Sequence, residues 1–405
     1  MRTTRATTLW STFLPLVITG VVGCTAAVDT GGDSGVDPSG ADAGLADNDA
    51  ALDDAGADAG ALEDDGGLRC PVESLDPRCP PNDLDFALST QEITPPRDHH
   101  TTLSLELEGQ GYLYVFGGTQ AWASMSQDVQ RAHLGADGEL EPFEVVGALP
   151  EPLAGHATVH IGRTIIVAGG NTDPRGRVIA DVSLAELQTD GSLGPWRAGP
   201  PLPEPVMHHT CDVIARRVYC VGGRIRGNYT SPQAVYSELD DTGALGPWQA
   251  MPPLPRSIGF QQAFVYAGDL YLAGGLHRDP PAANFERPKT VLVSRTGNDG
   301  LPSAWEETTP LPENLQVGAA TVVGNEVYLL GGLDRGDHEF ARVLRGTFDD
   351  QGGLSFVTLA EGPLAPRAHV HQAPLYAGRL YLVGGHQHLG DRSLGSVELV
   401  TLTSP

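Results

Sequence analysis

The sequence predicts an all-β fold, a six-bladed propeller with four antiparallel strands in each blade. Three observations lead there. Six Gly-Gly pairs recur, at Gly117-Gly118, Gly169-Gly170, Gly222-Gly223, Gly274-Gly275, Gly331-Gly332 and Gly384-Gly385, with gaps of 52, 53, 52, 57 and 53 residues. A period near 50 residues marks a repeat architecture. Each pair closes a short apolar run, such as residues 112–116, 218–221 and 380–383. An aromatic then follows 25 to 31 residues after the first glycine in five repeats: Phe143, Trp196, Trp248, Trp305 and Phe356.

Between doublet and aromatic runs a second β-rich stretch, as at residues 235–239 and 291–293, and a proline-rich turn precedes each first strand, as at Leu202-Pro203 and Leu254-Pro255. Each repeat therefore reads as four short strands divided by Gly, Pro and Asp turns. One such unit cannot bury both its faces alone, so neighbours must stack, and radial stacking protects the edges. Glycine pairs suit strand ends where backbones approach too closely for a Cβ. The pattern resembles the Kelch repeat over roughly residues 84–402, with six matching copies.

The order of the anchors predicts how the ring closes. The chain ends 20 residues after Gly385 with no sixth aromatic, yet an equivalent one, Phe86, precedes the first doublet. The N-terminal segment is expected to supply the outer strand of the last blade, pairing with the strand around residues 397–402 and removing an open edge.

Ahead of the propeller (residues 83–405), residues 1–24 read as an export signal. Arg2 and Arg5 precede an apolar run too short and interrupted for an ordinary membrane span. Val21-Val22-Gly23-Cys24 resembles a bacterial lipobox, which implies lipidation at Cys24 and, with Thr25 following, an outer-membrane address in the cell envelope. Membrane contact is expected through that anchor only. Residues 25–82 read as a disordered acidic tether: residues 25–66 hold twelve acidic side chains and no basic one, with no apolar face to offset ordering entropy. The formal charge is −26; two positive charges before Cys24 and twelve negative ones in that stretch leave −16 for the rest. Nucleic acid is a poor partner for such a domain, since phosphate binding needs clustered cations.

The other cysteines form two equally spaced pairs, Cys70–Cys79 and Cys211–Cys220. Neither resembles a metal knuckle. A two-residue turn at Ala215-Arg216 would set Cys211 opposite Cys220, so a disulfide there is plausible in an oxidising compartment, with free core thiols the alternative. Cys70–Cys79 is a second possible disulfide. No cofactor and no metal centre are expected.

Antiparallel alternation sorts the loops onto two faces. The Asp-Gly turns, such as Asp190-Gly191, share one face and read as positive-φ turns. Proline-rich turns and Gly-Gly loops share the other, which gathers His and Arg. The candidate ligand-binding residues are Arg97, His100, His156, Arg224, Arg226, Arg278, Arg367 and His371. Guanidinium forks suit bidentate capture of carboxylates. Against this, the Arg-x-x-His at Arg97–His100 is largely structural in the repeats it resembles, and a count of thirteen residues before the doublet groups His156, His209 and His371. The leading expectation is a non-enzymatic propeller of the cell envelope, recognising a protein, peptide or carbohydrate ligand on its Arg/His face. The resemblance also implies an alternative, since some bacterial Kelch propellers are sialic-acid mutarotases, which need a carboxylate-binding Arg and an acid/base group; no catalytic pair can be named from the residues. A passive surface spacer is the third.

Overall fold

The computed structural model describes residues 84–402 apart from 121–123, 175, 283, 298–299, 360–361 and 389. The export signal with Cys24, the tether and the Cys70–Cys79 pair lie outside the described residues. Six four-stranded antiparallel sheets are present. Blade one comprises Thr101–Leu107, Gln110–Phe116, Asp128–Leu134 and Glu144–Ala148, from axis to rim. Blades two to five repeat that order, with inner strands Ala157–Ile161, Thr210–Ile214, Gln262–Tyr266 and Ala319–Val323. Blade six holds Leu375–Tyr376, Arg379–Val383 and Ser396–Leu402, and takes Leu84–Glu92 as its outer strand. That strand runs antiparallel to the C-terminal one with Phe86 opposite Val400, so both ends of the domain meet in one sheet as anticipated.

The doublets hold one blade to the next. The N–H of Gly170 donates to the Val206 carbonyl of the following blade (2.8 Å), and that of Gly385 donates to Arg97 across the closure (2.9 Å). The other four doublets make the same bond, to Leu153, Ile258, Leu315 and Arg367. The first glycine of each pair is equally constrained: a Cβ on Gly384, at φ +56°, would lie 2.6 Å from the Arg97 carbonyl oxygen. Only glycine fits such a left-handed, backbone-on-backbone approach.

Apolar clusters fill each space between blades. Val159, Leu184, Val206, Cys211 and Val235 join blades two and three, while Ile93, Leu113, Val115, Tyr381 and Val397 seal blade six to blade one. The repeated aromatics tie the rim. Trp196, Trp248 and Trp305 each donate an indole N–H to a carbonyl of the preceding blade, Ala148, Pro200 and Pro252, at 2.7 to 3.0 Å. The Asp-Gly turns are also tied to their neighbours: Tyr114 and Tyr381 hydroxyls donate to Gly191 and Gly138 of the following blade. Within the turns Asp190, Asp240 and Asp349 cap nearby N–H groups. The acid-rich loops thus have a structural use. Cys211 and Cys220 face one another across the hairpin and form a disulfide.

Candidate functional site

Six residues, one from each blade, stand where the proline-rich turn enters the inner strand: His99, Gly155, His208, Phe260, Val317 and His369. All have positive φ, between 50° and 60°. They form a chain of backbone hydrogen bonds around the axis. The N–H of Gly155 donates to His99, His208 to Gly155, Phe260 to His208, Val317 to Phe260 and His369 to Val317, at 2.7 to 3.0 Å. Their side chains plug the axial mouth on the doublet face. His99 and His369 stack at 3.9 Å, and His208 stacks on Phe260 at 4.3 Å. His99, His208 and His369 are buried. Burial, reinforced by neighbouring imidazoles, pushes His208 and His369 well below the ordinary histidine range. Asp98 anchors the plug, held within 2.5 Å of His99 and 3.3 Å of His386. Against the opposing effect of burial, these imidazoles and the Ser393 hydroxyl keep its carboxyl far below the usual range.

The site residues read from sequence divide by depth. Arg97 and Arg367 are wholly buried. Arg97 donates to the Gly117 carbonyl (3.0 Å) and Ser126 hydroxyl (3.1 Å). Arg367 donates to the Leu382, Gly384 and Ser396 carbonyls and pairs with buried Glu398. Both guanidiniums are therefore turned to the protein interior. His100 and His156 lie just below the plug, each pushed down to about 3, chiefly by burial; His156 meets the Thr101 hydroxyl at 2.9 Å. The register of His371 differs from the thirteen-residue count. In the close packing against the preceding doublet, Gly117 meets His156, Gly169 meets His209 and Gly384 meets His100, but Gly331 meets Val370. The sixth inner strand pairs only over Leu375–Tyr376, after Pro374, and the count overshoots there by one residue. His371 instead faces the axis, 5.5 Å from the His208 ring.

Below the plug lies an axial channel of about 380 Å³, lined by the inner strands of all six blades. Those strands are most buried near the plug and become partly exposed towards their far hairpins, so the channel opens on the Asp-Gly face. One ionisable group is conspicuous in its wall. Asp212 has no hydrogen-bond or ion-pair partner among the described residues, and burial alone pushes its carboxyl up to about 7. Protein surrounds it on most sides while the channel admits water to it, so it is a half-buried acid able to exchange a proton near neutral pH. Sequence reading passed over Asp212 because one Asp within Thr210–Ile214 looks like an ordinary strand residue. Only the neighbouring blades bury it.

The exposed cations lie off the axis. Between blades two and three a cleft of about 450 Å³ is lined by Asp173, Arg177, Val178, Glu204, Pro205, Ile225 and Arg226. Arg177 and Arg226 are exposed and have no ion-pair partner among the described residues. Next to it Arg224 meets Asn228. Arg278 lies between the rings of Tyr229 and Phe285, at 5.3 and 5.2 Å. Other loop cations are neutralised locally, as in Arg256–Glu286 and Arg287–Asp337.

No protein-family model matches the chain. Among curated proteins it is 24% identical over 247 residues to Kelch-like protein terF of Aspergillus terreus, covering 59% of this chain and 50% of that one. It is 25% identical to Kelch repeat and BTB domain-containing protein 12 of Danio rerio, over 45% of this chain and 30% of the relative. It is 27% identical to Tip elongation aberrant protein 1 of Schizosaccharomyces pombe, over 44% and 16%. The chain thus spans half or less of the length of the curated relatives it matches. A solved structure, "Structure of YjhT", superposes with a TM-score of 0.59 at 14% identity, covering 77% of this chain and 97% of that one. These likenesses support a Kelch-repeat propeller, a fold suited to a binding or interaction scaffold.

Proposed function

We propose that the protein is a binding propeller of the cell envelope that captures a carboxylate-bearing peptide or glycan on its doublet face. The ligand seat is the cleft between blades two and three and its rim towards blade four. One observation carries this reading: Arg177 and Arg226, without an ion-pair partner among the described residues, line a cleft that also holds Val178, Pro205 and Ile225, with Asp173 and Glu204 beside them. Guanidinium forks give directional carboxylate bonds, while the apolar side chains offer area to sugar or side-chain carbon. Arg278 and its two rings extend the same chemistry, with Arg224 between. Arrayed acidic peptides and uronic-acid glycans, probed with the protein, are expected to give hits that fall at least tenfold in Arg177→Ala/Arg226→Ala while the melting temperature holds. Hits unchanged by that double substitution would move the seat elsewhere.

An enzymatic reading rests on a separate observation, Asp212. A carboxyl poised near pH 7 in a channel of sugar size suits general acid–base chemistry such as anomeric exchange. Exchange spectroscopy on sugar anomers would show catalysis by the wild type and its loss in Asp212→Asn; equal rates with and without protein would remove the reading.

A further inference from the structure

The inner hairpin of blade three brings together a second set of groups. His209 immediately precedes the strand Thr210–Ile214 that carries Cys211, two residues further on. Cys220 lies directly opposite Cys211. One imidazole nitrogen and two sulfurs therefore gather on the side towards blade two, each within 4.8 Å of the others. All three residues are buried, with 4%, 9% and 1% exposure.

The disulfide explains the two sulfurs but leaves the imidazole unexplained. Among the described residues neither ring nitrogen of His209 has a hydrogen-bond partner, whereas buried polar atoms in folded proteins are nearly always partnered. Cys211 also borders the axial channel, which supplies an entry path for a small ion.

We propose that, once the Cys211–Cys220 disulfide is reduced, His209, Cys211 and Cys220 bind one borderline-soft metal ion of the Zn²⁺ or Cu⁺ class. Two thiolates and an imidazole are the donors such ions prefer. A fourth, open position faces the channel for water or an incoming ligand. The chemistry balances as follows. A dithiol reductant gives two electrons and two protons to the S–S bond and itself becomes a disulfide. The two new thiols then release both protons as the ion forms two metal–sulfur bonds. Released from their bond, the sulfurs separate to roughly 3.7 Å, the spacing that two metal–sulfur bonds of about 2.3 Å need at a tetrahedral centre. Disulfide and ion are thus alternative states of one site, and thiol–disulfide exchange through the channel decides between them.

The test uses the full chain with Cys24, Cys70 and Cys79 changed to Ser, so that the remaining thiols are Cys211 and Cys220. It is reduced with a phosphine, desalted under nitrogen and titrated with Co²⁺. The expected result is a thiolate-to-cobalt charge-transfer band that saturates at one equivalent, is displaced by Zn²⁺ and is absent before reduction. His209→Ala should weaken Co²⁺ binding at least tenfold yet still form the disulfide on oxidation. No band in the reduced chain, an undiminished band in His209→Ala, or one in Cys211→Ser/Cys220→Ser would overturn the proposal. Loss of the near-ultraviolet circular dichroism on reduction would overturn it too, because the donors would no longer be held together by the fold.

Discussion

Removing the carboxylate of Glu398 tests whether the sixth blade is locked by a buried charge. Arg367 and Glu398 are both fully inaccessible and 3.2 Å apart. The guanidinium also donates to the carbonyls of Ala365, Leu382, Gly384 and Ser396, at 2.9 to 3.2 Å. Glu398 in turn accepts the N–H groups of Leu364 and Ala365. Burial pushes Arg367 down to about 10 and the carboxylate beside it opposes that, so the charge depends on its partner. Glu398→Leu leaves a guanidinium uncompensated in the core, which costs about 3–5 kcal/mol. Against a total stability of about 5–15 kcal/mol, that is a large fraction. Arg367→Met should cost a similar amount, while Arg367→Met/Glu398→Leu should cost clearly less than the sum, because the surviving charge goes too. Blade one supplies a control. Arg97 occupies the matching position, but the carboxylate it pairs with, Asp128, is 3.8 Å away and 41% exposed, so Asp128→Leu removes a weaker, hydrated partner and should cost clearly less than Glu398→Leu. Urea unfolding of the four variants gives the comparison. Glu398→Leu within 1 kcal/mol of wild type, or strict additivity in the double variant, would refute the reasoning.

Three other outcomes are expected. Gly384→Ala, which sets a methyl group 2.6 Å from the Arg97 carbonyl oxygen at φ +56°, should destabilise the domain by at least about 2 kcal/mol in chemical unfolding, since left-handed backbone alone costs about 1–2 kcal/mol in an alanine. His100 and His156 titrate near 3 when folded and near 6.5 when unfolded, so the unfolded chain binds more protons between those values and stability falls as pH drops through that window. Each should contribute a slope of about 1.4 kcal/mol per pH unit, and thermal melts of His156→Gln should show a shallower acid limb. Asp212 has the opposite sign: its folded value is raised to about 7, so the folded chain holds the extra proton from about pH 4 to 7 and stability falls as pH rises through that range. Asp212→Asn should therefore leave melting at pH 4 unchanged and add about 1–2 kcal/mol at pH 8, less than a dry site would give because channel water shields the charge.

What the sequence made legible was whatever repeats. The doublets, the indole series and the missing sixth aromatic each follow from one blade's geometry copied six times, and Phe86 could be set beside the C-terminal strand by counting alone. The Cys211–Cys220 pairing followed from a two-residue turn. The site resisted the same treatment because its decisive contacts lie between blades. That Arg97 and Arg367 point inwards depends on carbonyls and a carboxylate brought in by other strands. The register of His371 depends on where Pro374 interrupts the pairing, which thirteen-residue spacing does not register. Asp212 acquires its burial from inner strands more than 50 residues away in the chain. That Arg177 and Arg226 have no ion-pair partner among the described residues is legible only when every neighbouring acid has been placed.

The plug alters how the two faces divide their work. With imidazoles and Phe260 filling the doublet-face mouth, a ligand on that side meets loops rather than a hole. On the proposed reading, recognition there would use the rim cleft that bears the exposed Arg177 and Arg226. The channel is reached from the Asp-Gly side, where the turns between third and fourth strands are tied down by capped N–H groups and by tyrosines of the preceding blade, while the inner hairpins frame its mouth. On the same proposed reading, a channel of about 380 Å³ leading to Asp212 would take small molecules, while the cleft bearing Arg226 would take an extended ligand. The two surfaces would then take ligands of different size, with the hydrogen-bonded residues around the axis standing between them. Occupying the cleft with an acidic peptide should leave the titration of Asp212 where it was, as followed by carboxyl chemical shifts. A displaced midpoint would mean that the plug transmits rather than separates.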